Sequence, residues 1–100
     1  MTRGARMRGM RVRASHFRNH DDALWLGPHE MAHCHGDKAD IRLTRQVVRE
    51  WRDELSADAR IDLRRPGTDW ILVRMRTRAD VERALELLRL AVRATRNIAT

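Results

Sequence analysis

The feature that most constrains this chain is a series of short extended runs cut by glycine-bearing pairs. Ala23-Leu24-Trp25-Leu26 is a strand candidate that stops at Gly27-Pro28. His29 to His35 follows, with Met31, His33 and His35 expected on one side and Ala32 and Cys34 on the other. Gly36-Asp37 then offers a two-residue turn in which Gly supplies positive φ at the first position. Lys38 to Leu43 resumes with period two: Ala39, Ile41 and Leu43 face one way, Asp40 and Arg42 the other. These last two runs read as a hairpin, and hairpins argue for an antiparallel sheet.

The second half alternates differently. Thr44 can cap a helix whose stripe is Val47, Val48, Trp51 and Leu55, with Arg45, Arg49, Arg52 and Asp53 on the wet side. Trp51 is therefore expected in the core, and Ser56-Ala57-Asp58 ends the segment. Ile61 and Leu63 alternate with Asp62 and Arg64 as a short strand, and Pro66-Gly67 suits the centre of a type II turn. Trp70 to Arg76 is the clearest strand, with Ile71, Val73 and Met75 inward and Arg74 and Arg76 outward. Thr77 and Asp80 resemble a capping box ahead of the strongest helix, from Ala79 to about Arg96, whose stripe is Val81, Leu85, Leu88 and Val92. The expected order is β-β-β-α-β-β-α: a two-layer α+β fold, a mainly antiparallel sheet with two helices on one face.

Length and charge narrow the function. One hundred residues make one small domain with a thin core. No apolar run approaches the roughly 18 residues of a membrane helix. The formal net charge is +7, but residues 1–20 hold six arginines and no acid, while residues 21–100 are nearly neutral. Residues 1–20, with Gly4, Gly9 and scattered Met and Arg, read as a disordered basic tail ahead of a domain at 21–98. The tail reads as an uninformative extension from an upstream start, as an electrostatic arm for nucleic acid or anionic lipid, or as an organelle-targeting segment. Of the 21 cations only Lys38 is lysine, the excess a GC-rich genome produces. Cys34 is the only cysteine, so no intramolecular disulfide forms, which fits a reducing cytoplasm.

Chemistry concentrates at His29, His33, Cys34, His35 and Asp37. On a strand, His33 and His35 project from one face about 7 Å apart, near enough to share a transition metal. His29 lies too far along a straight strand to join them. A third ligand would have to be an oxygen of Asp37, Glu30 or Asp40, so no metal and no cofactor are expected. Cys34 points away from both histidines and reads as a small buried hydrophobe. The glycines make no phosphate-loop spacing and no serine sits in a nucleophile elbow. Trp70, opening a strand, is expected half-buried at the sheet; Arg42, Arg64, Arg74 and Arg76, interrupted by Asp40 and Asp62, form a solvated mixed-charge outer face.

The run Glu30-Met31-Ala32-His33-Cys34-His35-Gly36-Asp37-Lys38-Ala39-Asp40-Ile41 resembles the signature of small bacterial luciferase-domain proteins, His-Xaa-His-Gly-Asp followed by an Ala-Asp-apolar strand. Arg45 to Leu55, Asp69 to Val73 and Ala79 to Leu90 are similar to that family's helix, Trp strand and final helix, in the same order. The similarity spans roughly residues 22–96. It implies the fold and relatedness to fungal luciferases, which oxidise a hydroxylated pyrone with molecular oxygen without metal or flavin. It also implies His33, His35, Gly36, Asp37 and Trp70 as the matching site positions. Arg60 to Asp69 lacks the histidine that members usually carry before the Trp strand. A more distant likeness, at fold level, is to a small α+β family of DNA-binding proteins.

The leading expectation is a cytoplasmic luciferase-domain protein with a small-ligand site, or oxidative chemistry, around the His-Xaa-His strand. His33 or His35 would be the acid/base group oriented by Asp37, with Trp70 and Gly36 against the ligand. Whether it is an enzyme stays open, leaning toward no demonstrable activity. A nucleic-acid-binding module using the basic arm and the sheet-face arginines is the second reading, and a homodimerising structural domain the third.

Overall fold

The computed structural model describes residues 9–14, 22–63 and 67–99. Six strands form one wholly antiparallel sheet: β1 (Met10–Ala14), β2 (Asp22–Leu26), β3 (His29–His35), β4 (Lys38–Arg42), β5 (Ile61–Asp62) and β6 (Trp70–Arg74). Their spatial order is β1-β2-β3-β4-β6-β5. Two-residue turns join β2 to β3 and β3 to β4, because Leu26 pairs with His29 and His35 with Lys38. Both turns need a left-handed residue first, which Gly27 (φ 57°) and Gly36 (φ 64°) supply.

Among the described residues, three helices pack on one face: α1 (Arg45–Glu50), α2 (Arg52–Ala57) and α3 (Arg78–Ala99). Their Val47, Val48, Leu55, Ala84, Leu87, Leu88, Ala91 and Val92 join Leu24, Ala32, Ala39, Ile41, Ile71 and Val73 in one apolar core. The capping box of α3 is formed: Asp80 N–H donates to Thr77 Oγ1 at 3.2 Å, and Thr77 N–H to Asp80 Oδ2 at 3.1 Å. The α+β class, the antiparallel sheet and the one-sided helices are as the sequence reads.

Four expectations are corrected. Residues 10–14, read as part of a disordered tail, are the edge strand β1, paired along its length with β2. Their short alternation is too brief to stand out alone, and pairing with β2 completes it. The domain therefore reaches back to Gly9; residues 1–8 and 15–20 of the expected tail lie outside the described residues.

Second, the helix after β4 is two short helices that meet at Trp51 (φ −104°, ψ 15°). Third, Trp51 is 44% exposed instead of core. The backbone bonds still run through it, Trp51 N–H to Val47 O and Leu55 N–H to Trp51 O. A bend there keeps Val47, Val48 and Leu55 on the sheet and turns the ring outward. The bend is anchored upstream by Thr44, a buried residue at φ 83°. Its own N–H and that of Leu43 both donate to Asp69 O, while Asp69 Oδ1 accepts from Arg45 N–H. Three bonds to one residue hold a conformation that a β-branched side chain disfavours.

The most consequential irregularity lies in β3. Leu24 pairs with Ala32 but Trp25 pairs with Glu30, so Met31 is an extra residue, a β-bulge. Below the bulge, alternation is inverted. Met31 is fully buried, and its sulfur accepts from the Thr95 hydroxyl of α3 at 3.7 Å. It lies on the helix side, not beside the histidines as strict period two requires.

Candidate functional site

Cross-strand partners share a face, so the register defines the surface opposite the helices. His33 pairs with Ala23 and Asp40, Asp40 with Leu72, and Glu30 with Trp25. The centre of this face is not the solvated surface expected from its charges. Trp25, Glu30, His33, Asp40 and Leu72 are all buried.

Both imidazoles converge on one oxygen. His33 Nε2 lies 3.0 Å and His35 Nε2 2.7 Å from Asp40 Oδ2. The rings stack at 5.8 Å between centroids, inclined by 29°. Trp70 tilts against His33 at 5.5 Å. A carboxylate oxygen only accepts, so each Nε2 carries a hydrogen in this arrangement. His33 is buried, whereas the His35 side chain is 37% exposed and Asp40's 13%. The cluster therefore grades from a buried imidazole, through a carboxylate, to an imidazole at the surface.

Glu30 closes the buried end. The bulge brings it onto this face, with Oε1 4.0 Å from His33 Nδ1. That oxygen is buried and makes no hydrogen bond. By sequence Glu30 is only a candidate oxygen ligand, and nothing in the local pattern signals the bulge that aims it here. A bulge follows from how β2 and β3 fit, which no single-strand pattern contains.

The other expected site residues lie as follows. Asp37, proposed to orient a histidine, follows the turn glycine and binds Arg76 Nε at 3.2 Å, away from the imidazoles; Asp40 holds that place. Gly36 forms the turn beyond His35. His29 pairs with Leu26, which packs on the core, so it sits on the helix side rather than with His33 and His35. Cys34 pairs with Ala39, also on the helix side. Of the arginines expected on the outer face, Arg74 donates to Ala59 O and Arg76 to Asp37, and Arg64 lies outside the described residues. Among the described residues, His33, His35 and Asp40 are the group whose ligand atoms lie close enough to share a metal, all within 4.8 Å of one another.

This geometry defines a class: a two-layer α+β domain with a carboxylate-bridged imidazole pair on the sheet face away from its helices. The chain belongs to the Luciferase domain family, whose sequence model matches residues 28–91, a span that includes Glu30, His33, His35, Asp40 and Trp70. No curated protein and no solved structure matches the chain. No helix among the described residues is long and apolar enough to cross a membrane.

Proposed function

We propose that this luciferase-family domain binds a small, planar, hydroxylated organic molecule beside His35 and Trp70, with His35 as the acid/base group toward its hydroxyl. One observation carries the reading: His35 is the solvent-reachable member of a cluster whose carboxylate grips it at 2.7 Å. An imidazole works near neutral pH without a large shift. Asp40 orients that ring, the role assigned from sequence to Asp37. His33 supports Asp40 from the buried side, and Trp70 supplies an aromatic wall. Membership of the family agrees with a hydroxylated heteroaromatic as the ligand class.

The test uses the full chain in excess chelator, titrated with a hydroxypyrone and followed by calorimetry and tryptophan emission. Saturable one-to-one binding is expected, weakened at least about tenfold in His35→Ala, the loss of one charge-assisted contact. Binding that is absent, or unchanged in a folded His35→Ala variant, overturns the reading.

A further inference from the structure

We infer that His33 Nε2, His35 Nε2 and Asp40 Oδ2 form a binding site for a divalent first-row transition ion, with Glu30 as its outer-shell acceptor. This goes beyond the ligand reading and does not depend on it. Two imidazoles and one carboxylate are a donor set that suits Zn²⁺, Co²⁺ or Fe²⁺ and leaves coordination positions open. Ligand atoms about 2.1 Å from a common ion stand roughly 3.4 Å apart in a tetrahedron. The two Nε2-to-Oδ2 separations are 3.0 and 2.7 Å and the ligand atoms span up to 4.8 Å, so holding an ion takes side-chain rotations that withdraw the carboxylate oxygen by about 0.4–0.7 Å and close the widest pair by up to about 1.4 Å. Cys34 is turned to the other face, which leaves the set without a thiolate.

The buried Glu30 oxygen is the second, independent observation. Without an ion, the Nε2 atoms carry the hydrogens that point at Asp40. An ion displaces them, and each neutral ring must then carry its hydrogen on Nδ1. For His33 that places an N–H facing Glu30 Oε1, the atom 4.0 Å away that makes no hydrogen bond. Carboxylate–histidine–metal relays have this form: the outer carboxylate fixes the tautomer and raises the ring's basicity. The bulge at Met31 is what puts Glu30 in line, so the backbone irregularity and the orphaned oxygen share one explanation.

The experiment titrates the chelator-stripped full chain, with no organic ligand, with Zn²⁺ by calorimetry and with Co²⁺ by visible absorption. One ion per chain is expected, with Co²⁺ bands of a nitrogen- and oxygen-ligated site and no thiolate charge-transfer band. His35→Ala and Asp40→Asn, whose folding is checked by circular dichroism, should abolish the stoichiometric site. Glu30→Gln should keep the stoichiometry and weaken binding about tenfold or more, as outer-shell losses do. The combined variant His16→Ala, His20→Ala and His29→Ala should bind as the native chain does. Loss of the site in that variant, its survival in His35→Ala, or no stoichiometric binding overturns the inference. Because chelator is present only in the hydroxypyrone titration, either proposal can fail without the other.

Discussion

The Thr95 hydroxyl of α3 donates to the Met31 sulfur of β3 at 3.7 Å, and both residues are buried. This contact fastens the extra residue of a bulged strand to the longest helix. The bulge in turn decides which side chains reach the opposite face: Glu30 joins His33, His35 and Asp40, and His29 leaves them. A packing contact on one side of the sheet thus sets the composition of the site on the other.

Truncation of Met31 is accordingly expected to be severe. Met31→Ala should lower stability by about 2–5 kcal/mol, the range for emptying a fully buried position. Thr95→Val, which keeps the shape and removes a weak donor, should cost less than about 1 kcal/mol. Urea denaturation of both variants checks this; equal losses would mean the sulfur contact, not the volume, holds the bulge.

The buried charges around His33 make a second contrast. His33→Ala removes the ring that stands 3.0 Å from Asp40 Oδ2 and 4.0 Å from Glu30 Oε1, leaving Asp40 to His35. A loss of about 3–5 kcal/mol is expected, as when one member of a buried ionic set is deleted. Glu30→Gln keeps the shape and removes a buried charge with no hydrogen bond at Oε1. Its stability should be equal to or higher than that of the native chain. Thermal unfolding in the presence of chelator reads both effects free of any bound ion.

Acid should weaken the fold through Asp58. The Arg60 guanidinium grips both its oxygens at 2.9 Å, with Arg60 N–H and Arg83 Nε adding bonds at 3.0 and 3.2 Å. Hydrogen bonding from Arg60, against the desolvation that raises it, holds this carboxyl down at about 2 from 3.8. A group depressed on folding stabilises above its unfolded value and loses that contribution as pH falls through the folded one. Stability should therefore drop between about pH 4 and pH 2, by about 1 kcal/mol after allowance for solvent screening. In Asp58→Asn that part of the pH profile should flatten.

Trp51 should behave as a surface residue. Trp51→Gln is expected to change stability by less than about 1 kcal/mol, whereas Leu55→Ala, one turn on and fully buried, should lose about 2–5 kcal/mol. Iodide should quench Trp51 and leave buried Trp25 largely untouched. Half-buried Trp70 also contributes, so the check is a difference: a Trp51→Phe variant whose quenchable fraction does not fall would contradict the outward ring.

Much of the fold was legible in local patterns. The glycines at 27 and 36 mark tight turns because only a residue without Cβ takes their backbone angles freely. Alternation at Lys38–Leu43 and Trp70–Arg76, and the stripe from Val81 to Val92, report which side meets the core. The pairing of His33 with His35 on one strand face follows from the same period. Trp51 misled because the stripe Val47, Val48, Trp51, Leu55 assumes a straight helix, and the chain bends there. Residues 10–14 misled because five residues of alternation gain meaning only when a neighbour supplies the hydrogen bonds.

By itself, then, the sequence determined the α+β class, the hairpins, the capping of the last helix and the histidine pair, all products of short-range sterics and hydrophobic period. Only the tertiary structure decided that Asp40 rather than Asp37 bridges the histidines, since that depends on the register between β3 and β4. It also decided that Glu30 stands behind His33. One unpaired residue in a strand reverses every side chain beyond it, and whether that residue is accommodated depends on the packing of β2, β3 and α3 together.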